Sequence, residues 1–198
     1  MSRNIQIFFK RLLDIVVCSI LAFCGFPILL LLALLVKLSS TGPVFFVQDR
    51  IGRNEKSYRI IKFRTMVGQP DNKETRWTKS EEARITPIGR FMRDYGLDEL
   101  PQLINILKGD MSIIGPRSPL PQQVKVFPAR FKKMFDMRPG VLSLAAIEGR
   151  RSLSMEERYE LHVQYVETWS LKLDLKILWR SLFVILRREA ATENVPKE

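Results

Sequence analysis

An aspartate and a glutamate stand side by side at 98 and 99 in the stretch "DYGLDELPQLINILKGDMSIIGPR" (94 to 117), directly before an apolar run. A carboxylate is already ionised at neutral pH and can act as a nucleophile without a general base, which suits a chain whose one histidine is His162. Toward a phosphorus centre its handicap is like-charge repulsion. The physical remedy is a divalent cation held by the second carboxylate, with arginines around the phosphoryl oxygens. Arginines recur near the pair. Arg90 and Arg93, three apart, share one face of a helix that Thr86-Pro87 opens and Gly96 closes, and Arg117 follows Gly115-Pro116 in a loop shaped to present a guanidinium to phosphate. Arg138 ("MRPG") and Arg150 with Arg151 ("EGRR") lie in further loop contexts. The competing reading is plain: an Asp at a helix N-cap with Glu beside it is ordinary capping. It requires a second helix to begin at Asp98-Glu99, with Pro101 tolerated in its first turn.

The elements that must position these groups follow from composition and period. The 198 residues carry 32 Lys and Arg against 21 Asp and Glu, a formal charge of +11, so the partner is anionic: nucleic acid, a membrane surface or a phosphorylated substrate. Both cysteines, Cys18 and Cys24, fall inside the N-terminal apolar run, which excludes a disulfide framework and a structural zinc site. From Leu12 to Val36 only Asp14 and Ser19 are neither apolar nor small. About 25 helical positions reach about 37 Å, against a hydrocarbon core of about 30 Å. Pro27 interrupts the run, Lys10 and Arg11 precede it, and Lys37, Arg50, Arg53 and Lys56 follow it. Positive charge on both flanks puts both ends on the cytoplasmic side. With proline breaking the helix, the expectation is a re-entrant helix-break-helix; a kinked span is the alternative. Asp14 is expected to pair with Lys10 or Arg11 along the helix.

After Gly42-Pro43 the period changes. "VFFVQDRIG" and "KSYRIIKFRTM" read as the strands of a hairpin turning at "RNE", and alternation puts Tyr58, Ile60, Lys62 and Arg64 on one face, two cations pointing together. Residues 68 to 82 read as a polar loop that could cover a site. Ser154 and Glu157 form a capping box for a helix to about Thr168. Beyond it, Leu171, Leu175, Leu178, Leu182 and Ile185 make an apolar stripe that either lies in a membrane interface, with Trp169 and Trp179 near headgroups, or packs on the core. His162 is expected to be a packing or surface residue. The fold class is α/β and mostly helical, with a small β-hairpin and short interfacial amphipathic helices around the site. Residues 1–40 form the anchor and 41–198 a catalytic domain. A nucleic-acid binder is disfavoured by the lack of an RNP-like aromatic motif, zinc spacing or compact basic arm. A peripheral membrane scaffold with a non-catalytic phosphate site stays as the alternative.

The chain resembles the monotopic bacterial phosphoglycosyl transferases, or bacterial sugar transferases. The resemblance rests on "KRLLD" (10–14), the proline-broken apolar segment, "GPVFFVQDRIG" (42–52), "IKFRTM" (61–66), "TPIGRFMR" (86–93), "LDELPQLINILKGDMSIIGPR" (97–117), "RPG" (138–140) and "EGR" (148–150). It implies a two-step transfer at the cytoplasmic face of the bacterial inner membrane. Asp98 would attack the β-phosphate of a UDP-sugar, releasing UMP, and a polyprenyl phosphate would then take the phosphosugar. It further implies Glu99, beside Asp98, as the carboxylate associated with Mg2+; Lys62, Arg93 and Arg117 as phosphate-binding groups; and Arg138 and Arg150 as weaker candidates for nucleotide or phosphate contact. Membrane lipids are implied partners, and the tail helix offers a face for self-association. Departures are visible. The family's Ser-Pro break is Phe26-Pro27 here, its Pro-Arg-Pro loop reads Pro116-Arg117-Ser118-Pro119, and Leu142-Ser143-Leu144 follows "RPG" in place of a "TGW" type of sequence.

Overall fold

The computed structural model describes residues 3–68, 82–148 and 153–186. Its first element, helix α1 (Arg3–Cys24), is polar inside and apolar outside. Lys10, Asp14 and Cys18, spaced four apart, are buried, while Phe8, Leu13, Ile20 and Phe23 are exposed, the reverse of a helix on a water-soluble core. Helix α2 (Phe26–Ser39) is apolar on both sides, burying Leu32 and Val36 and exposing Ile28, Leu31, Leu34 and Leu38. The two helices meet at 65°; neither alone is long and apolar enough to cross a bilayer, and together they pass by length and composition. The break is not the work of Pro27 unaided, as the sequence suggested. A Cβ on Gly25 would lie 2.5 Å from the Leu21 carbonyl oxygen, so glycine supplies the close approach, and Pro27 withholds a backbone donor from α2's first turn.

Strands β1 (Phe45–Ile51) and β2 (Ser57–Phe63) pair antiparallel in register Phe45↔Phe63 to Ile51↔Ser57. The turn between them at Arg53–Glu55 is the expected one, with Asn54 and Glu55 at φ 57°. The chain then forms α3 (Pro87–Asp94), α4 (Gln102–Lys108), β3 (Ser112–Ile114), the single turn α5 (Pro121–Val124), a 3-10 segment (Ala129–Asp136), β4 (Gly140–Leu142), α6 (Leu144–Glu148), α7 (Met155–Thr168) and α8 (Leu171–Leu186). Helix α3 begins as expected: the Thr86 hydroxyl accepts from the Gly89 amide at 2.9 Å, and Gly96 follows at φ 67°. The capping box of α7 is likewise formed, Glu157 N donating to Ser154 Oγ and Ser154 N to Glu157 Oε2. Strands β3 and β4 pair parallel, an element the sequence reading did not contain because each is only three residues long.

Three apolar clusters hold the elements together, and α1 or α2 enters each. Ile7 packs against Ile114, Tyr165, Trp169 and Ile177, Cys18 joins Ile60, Ile106 and Met111, and Leu32 and Val36 join Phe63 and Met92. The polar stripe of α1 is spent on the same neighbours. Asp14 is not paired along its own helix. Its Oδ1 accepts from Ile113 N at 3.1 Å, while Lys10 donates to Asp174 on α8 at 2.7 Å and Arg11 to the Ile106 and Leu107 carbonyls that end α4. The i,i+4 pair expected along α1 is replaced by contacts across the core, where each group has a fixed partner.

Around Asp174 the polar atoms close on one another. Its Oδ2 accepts from Lys10 Nζ and, at 3.1 Å, from Trp169 Nε1, and its Oδ1 accepts from the Tyr165 hydroxyl at 2.7 Å. Trp169 is therefore buried in the core rather than placed near headgroups. Of the tail stripe, Leu175, Leu178 and Leu182 are exposed together with Trp179 and Phe183; α8 packs through Asp174, Ile177 and Ser181. His162 is buried with no partner on Nδ1, and burial drives its imidazole down to about 3, so it is neutral. Breaking a buried ion pair leaves a charge without a partner. Asp174→Leu should therefore destabilise the fold by about 3–5 kcal/mol, and adding Lys10→Met should recover part of that loss. Denaturant titration of the purified protein in detergent checks this; a double variant no better than the single one would refute the pairing as the cause.

Candidate active site

Asp98 and Glu99 lie in a 3-10 turn, Leu97–Glu99, and not in the first turn of the following helix. The physical reason is Pro101. It has no N–H to donate to the Leu97 carbonyl, so the chain closes shorter bonds instead, Leu100 N to Leu97 O and Ile104 N to Pro101 O, and α4 starts only at Gln102. The expected helix start at Asp98-Glu99 is displaced by that much. Leu97 and Leu100, on either side of the pair, pack into the cluster of Leu32, Val36, Phe63 and Met92. The carboxylates are thus set between two leucines anchored against α2.

Cations close the site from three other parts of the chain. Lys62 of β2 donates its ammonium to Glu99 Oε1, and Arg117 Nη2 reaches the same oxygen at 3.3 Å. Arg93 of α3 is oriented by Nε donation to Thr65 Oγ1 at 2.8 Å, and its charge acts on Asp98. Lys62 and Arg64 do not act together as the alternation suggested. The strand ends at Phe63, and Arg64 turns away to donate to the Ser40 carbonyl at 2.7 Å, closing the end of α2.

The two carboxylates are driven in opposite directions. Burial raises the Asp98 carboxyl above its ordinary value; Lys62 opposes that rise and Glu99's neighbouring charge adds to it. Burial also acts to raise Glu99, but the adjoining Lys62 and Arg117 charges overcome it and hold the carboxyl down at about 2. Glu99 is therefore a permanent anion that orders two cations, whereas Asp98 is the more basic and less committed of the two. Separation of this kind marks different chemical roles.

Arg117 is held through its neighbours. Gly140 N donates to Pro116 O at 2.9 Å and Gly115 N to Leu142 O at 2.9 Å; a Cβ on Gly140 would lie 2.0 Å from Gly115 N, so this crossing demands glycine. On the other side Arg50 Nη1 donates to Ser118 O at 3.0 Å, the Tyr58 hydroxyl to Ser118 Oγ at 2.8 Å, and Ile51 N to Pro119 O. Arg50 is itself a buried guanidinium, pulled down to about 10 by burial and then by Arg117's charge. Tyr58, Arg50 and Ser118 went unnamed as site residues in the sequence, although Tyr58 had been placed on the Lys62 face and Arg50 sits opposite Tyr58 in the hairpin. Asn105 was missed as well. Its side chain bonds the Arg59 carbonyl at 2.7 Å and the Ile61 amide at 3.1 Å, satisfying β2's open edge and fixing α4 to the strand that carries Lys62.

Not every expected residue joins the cluster. Arg90 is exposed and pairs with Glu82 at 3.5 Å. Arg138 donates Nε to the Gly109 carbonyl at 2.8 Å and lines a different cleft. Arg150 and most of the 68 to 82 loop lie outside the described residues. Among the described residues no three His, Cys, Asp or Glu converge as a ready-made metal cage. Two adjacent carboxylates nonetheless suit Mg2+, which keeps most of its waters and is held by one or two carboxylates plus substrate phosphates.

The sequence profile of the bacterial sugar transferases matches residues 5–188. The chain belongs to that family. It is 38% identical over 185 residues to the uncharacterized sugar transferase EpsL of Bacillus subtilis, covering 93% of this chain and 91% of that protein. To the UDP-glucose:undecaprenyl-phosphate glucose-1-phosphate transferase of Caulobacter vibrioides it is 37% identical, covering 92% of this chain and 71% of that one. The Escherichia coli protein of the same name is 36% identical over 88% of this chain, which spans 39% of that longer protein. The chain is accordingly a phosphoglycosyl transferase enzyme. Since a lost side-chain hydrogen bond costs about 1 kcal/mol, Tyr58→Phe should lower the transferase kcat/KM roughly fivefold by loosening the Arg117 loop. In a Ser118→Ala background the same change should cost nothing further; a full additional loss would refute the Tyr58–Ser118 contact as its cause.

Proposed function

We propose that this sugar transferase moves a sugar 1-phosphate from a UDP-sugar to a polyprenyl phosphate at the cytoplasmic face of the bacterial inner membrane, through a phosphosugar-aspartate intermediate. The observation that carries the reading is the opposed state of the two adjacent carboxylates: Asp98 raised by burial, Glu99 locked as an anion by Lys62 and Arg117. The names of the Caulobacter and Escherichia coli relatives support the substrate classes.

In the first step an Asp98 carboxylate oxygen attacks the β-phosphorus, the bond between that phosphorus and the α-β bridging oxygen breaks, and UMP leaves. In the second, an oxygen of the polyprenyl phosphate attacks the same phosphorus. The acyl-phosphate bond breaks, the Asp98 carboxylate is restored, and the product is polyprenyl diphosphate sugar. Arg117 and Arg93 offset the negative charge of the phosphoryl oxygens, and Lys62 keeps Glu99 ionised. Glu99 and Asp98 are the groups that would hold Mg2+, which neutralises phosphate charge when bound. The apolar outer faces of α1 and α2 support a bilayer as their solvent, since apolar exposure on this scale marks a membrane or partner surface, and the bend at Gly25–Pro27 supports re-entry. A scaffold would have no use for a carboxylate pair of opposed basicity.

With donor and magnesium but no lipid, the enzyme should release UMP and gain the mass of one phosphosugar at Asp98. Asp98→Asn should abolish both while donor binding persists, and Arg117→Ala should slow turnover by about 100- to 1,000-fold, with Lys restoring only part. Intact-protein mass spectrometry decides: turnover without adduct, or an active Asp98→Asn protein, would replace covalent catalysis with direct transfer.

A raised carboxyl loses its ionised, nucleophilic form at a higher pH than an exposed aspartate does. The acid limb of single-turnover UMP release should therefore have its midpoint above the ordinary aspartate value of about 3.9. Because Lys62 opposes the rise, Lys62→Met should move the midpoint further up; a midpoint at the ordinary value, or one unmoved by this variant, would contradict the assignment.

Topology has its own test. In a protein whose Cys18 and Cys24 are replaced by serine, cysteines introduced at Asn4 and Lys172 should both be labelled from the cytoplasmic side. Combining Gly25→Ala with Pro27→Leu should straighten the helix and remove Asn4 from that side; labelling of Asn4 only from the opposite side in the protein that keeps Gly25 and Pro27 would refute re-entry.

A further inference from the structure

A second cleft, open to solvent, lies at the foot of α1, and no residue of the Lys62–Glu99–Arg117 cluster lines it. Three guanidinium groups reach it from separate elements: Arg11 from α1, Arg53 from the hairpin turn and Arg138 from the segment before β4. Arg138 gives its Nε to Gly109 O, and Arg11 gives Nη1 and Nη2 to the end of α4. A guanidinium has five N–H donors, so neither is exhausted. Lys10 also lines the cleft, but its charge is answered by Asp174. The carboxylates present are Asp14, whose Oδ1 is taken by the Ile113 amide, and Asp136. Three guanidinium groups against two carboxylates leave one positive charge in excess. The crowding is felt by Arg138, whose guanidinium is drawn below its ordinary range by burial and then by Arg11 and Arg53.

The independent observation is Ser112. It is 1% exposed, lines this cleft, and its hydroxyl has no hydrogen-bond partner. A buried hydroxyl left unpaired is costly, and an acceptor placed in the cleft would remove that cost. We infer that the cleft is a second anion site, taking a phosphodiester group between Arg53, Arg138 and the Ser112 hydroxyl. A phosphodiester carries one negative charge, which matches the local excess. On the same turns of α1, Phe8, Phe9, Leu12 and Leu13 are exposed, so the acyl chains of a phospholipid whose headgroup filled the cleft would have an apolar wall to lie along. The same chemistry would hold a soluble phosphodiester.

The test uses the full chain in detergent, stripped of lipid. One arm adds phosphatidylglycerol and follows its retention by native mass spectrometry; the other adds glycerophosphoglycerol, the same headgroup without acyl chains, and follows the thermal midpoint. Arg53 is exposed and Ser112 Oγ makes no bond, so the Arg53→Gln, Ser112→Ala double variant should fold as the parent does, with a midpoint no lower than the parent's before ligand is added. Expected is one tightly held phosphatidylglycerol, with affinity reduced about tenfold or more in the double variant, as loss of charge-assisted bonds to phosphate requires, and retention intact in Arg117→Ala. A shift with glycerophosphoglycerol that the double variant loses, without lipid retention, assigns the site to a soluble phosphodiester. Equal behaviour of parent and double variant with both probes, or loss of binding in Arg117→Ala, would overturn the site.

Discussion

The architecture turns on a lysine that has no water to go to. Lys10 sits on the inward face of a helix whose outward face is apolar, and its ammonium is neutralised by Asp174, more than a hundred and fifty residues later in the chain. That carboxylate is in turn satisfied by the Tyr165 hydroxyl and the Trp169 indole. Four side chains from α1, α7, the α7–α8 junction and α8 are thereby fixed at one point, and the Tyr165 hydroxyl also reaches the Ile114 carbonyl at 3.3 Å at the end of β3. Arg3 extends the tie by donating to the Val166 carbonyl. A buried pair adds little net stability over an apolar replacement, but it tolerates no other register. Its effect is to specify how the apolar helix docks on the rest of the chain.

From that docking the site follows by contact. Asp14, one turn beyond Lys10, fixes the Ile113 amide of β3, and β3 leads through Gly115-Pro116 to Arg117. Arg11 closes the far end of α4, whose near end follows the Asp98-Glu99 turn. The leucines flanking the dyad rest against α2. Each catalytic candidate is therefore one short step of chain from a residue held by α1 or α2. The N-terminal segment serves as a structural wall of the site as well as an apolar surface.

Legibility in the sequence was uneven for physical reasons. Patterns that are local in the chain were read well. The hairpin turn at Arg53–Glu55, the Thr86 cap, the Gly96 stop and the Ser154–Glu157 box depend on three to five consecutive residues and appeared where expected. What depended on distant partners was misread. Asp14 looked like half of an i,i+4 pair because Lys10 and Arg11 were the nearest cations in the chain, and Trp169 stayed open between interface and core because nothing local said that Asp174 would be inside. The short parallel pairing of β3 with β4 has no periodic signature at three residues each. The dyad itself was legible as chemistry, whereas its geometry was not: proline's missing donor shortens the turn in a way that a capping rule does not anticipate.

One asymmetry carries the chemistry proposed for the dyad. Adjacent carboxylates repel, and a site in which both were equally exposed to cations would make both weak nucleophiles. Here the two carboxylates meet the cations unequally: Lys62 and Arg117 bond to a single oxygen of Glu99 and hold it down, whereas on Asp98 their charges are outweighed by burial. On Asp98 burial, with Glu99's own charge adding to it, outweighs the lowering by Lys62, Arg93 and Arg117, and its basicity rises. The glutamate thus does two things for its neighbour without touching phosphorus. It holds the cations in position, and its own charge adds to the burial that raises the aspartate against the lowering by Lys62, Arg93 and Arg117. Moving either cation onto Asp98 would stabilise the resting anion, lower its basicity and so weaken its attack.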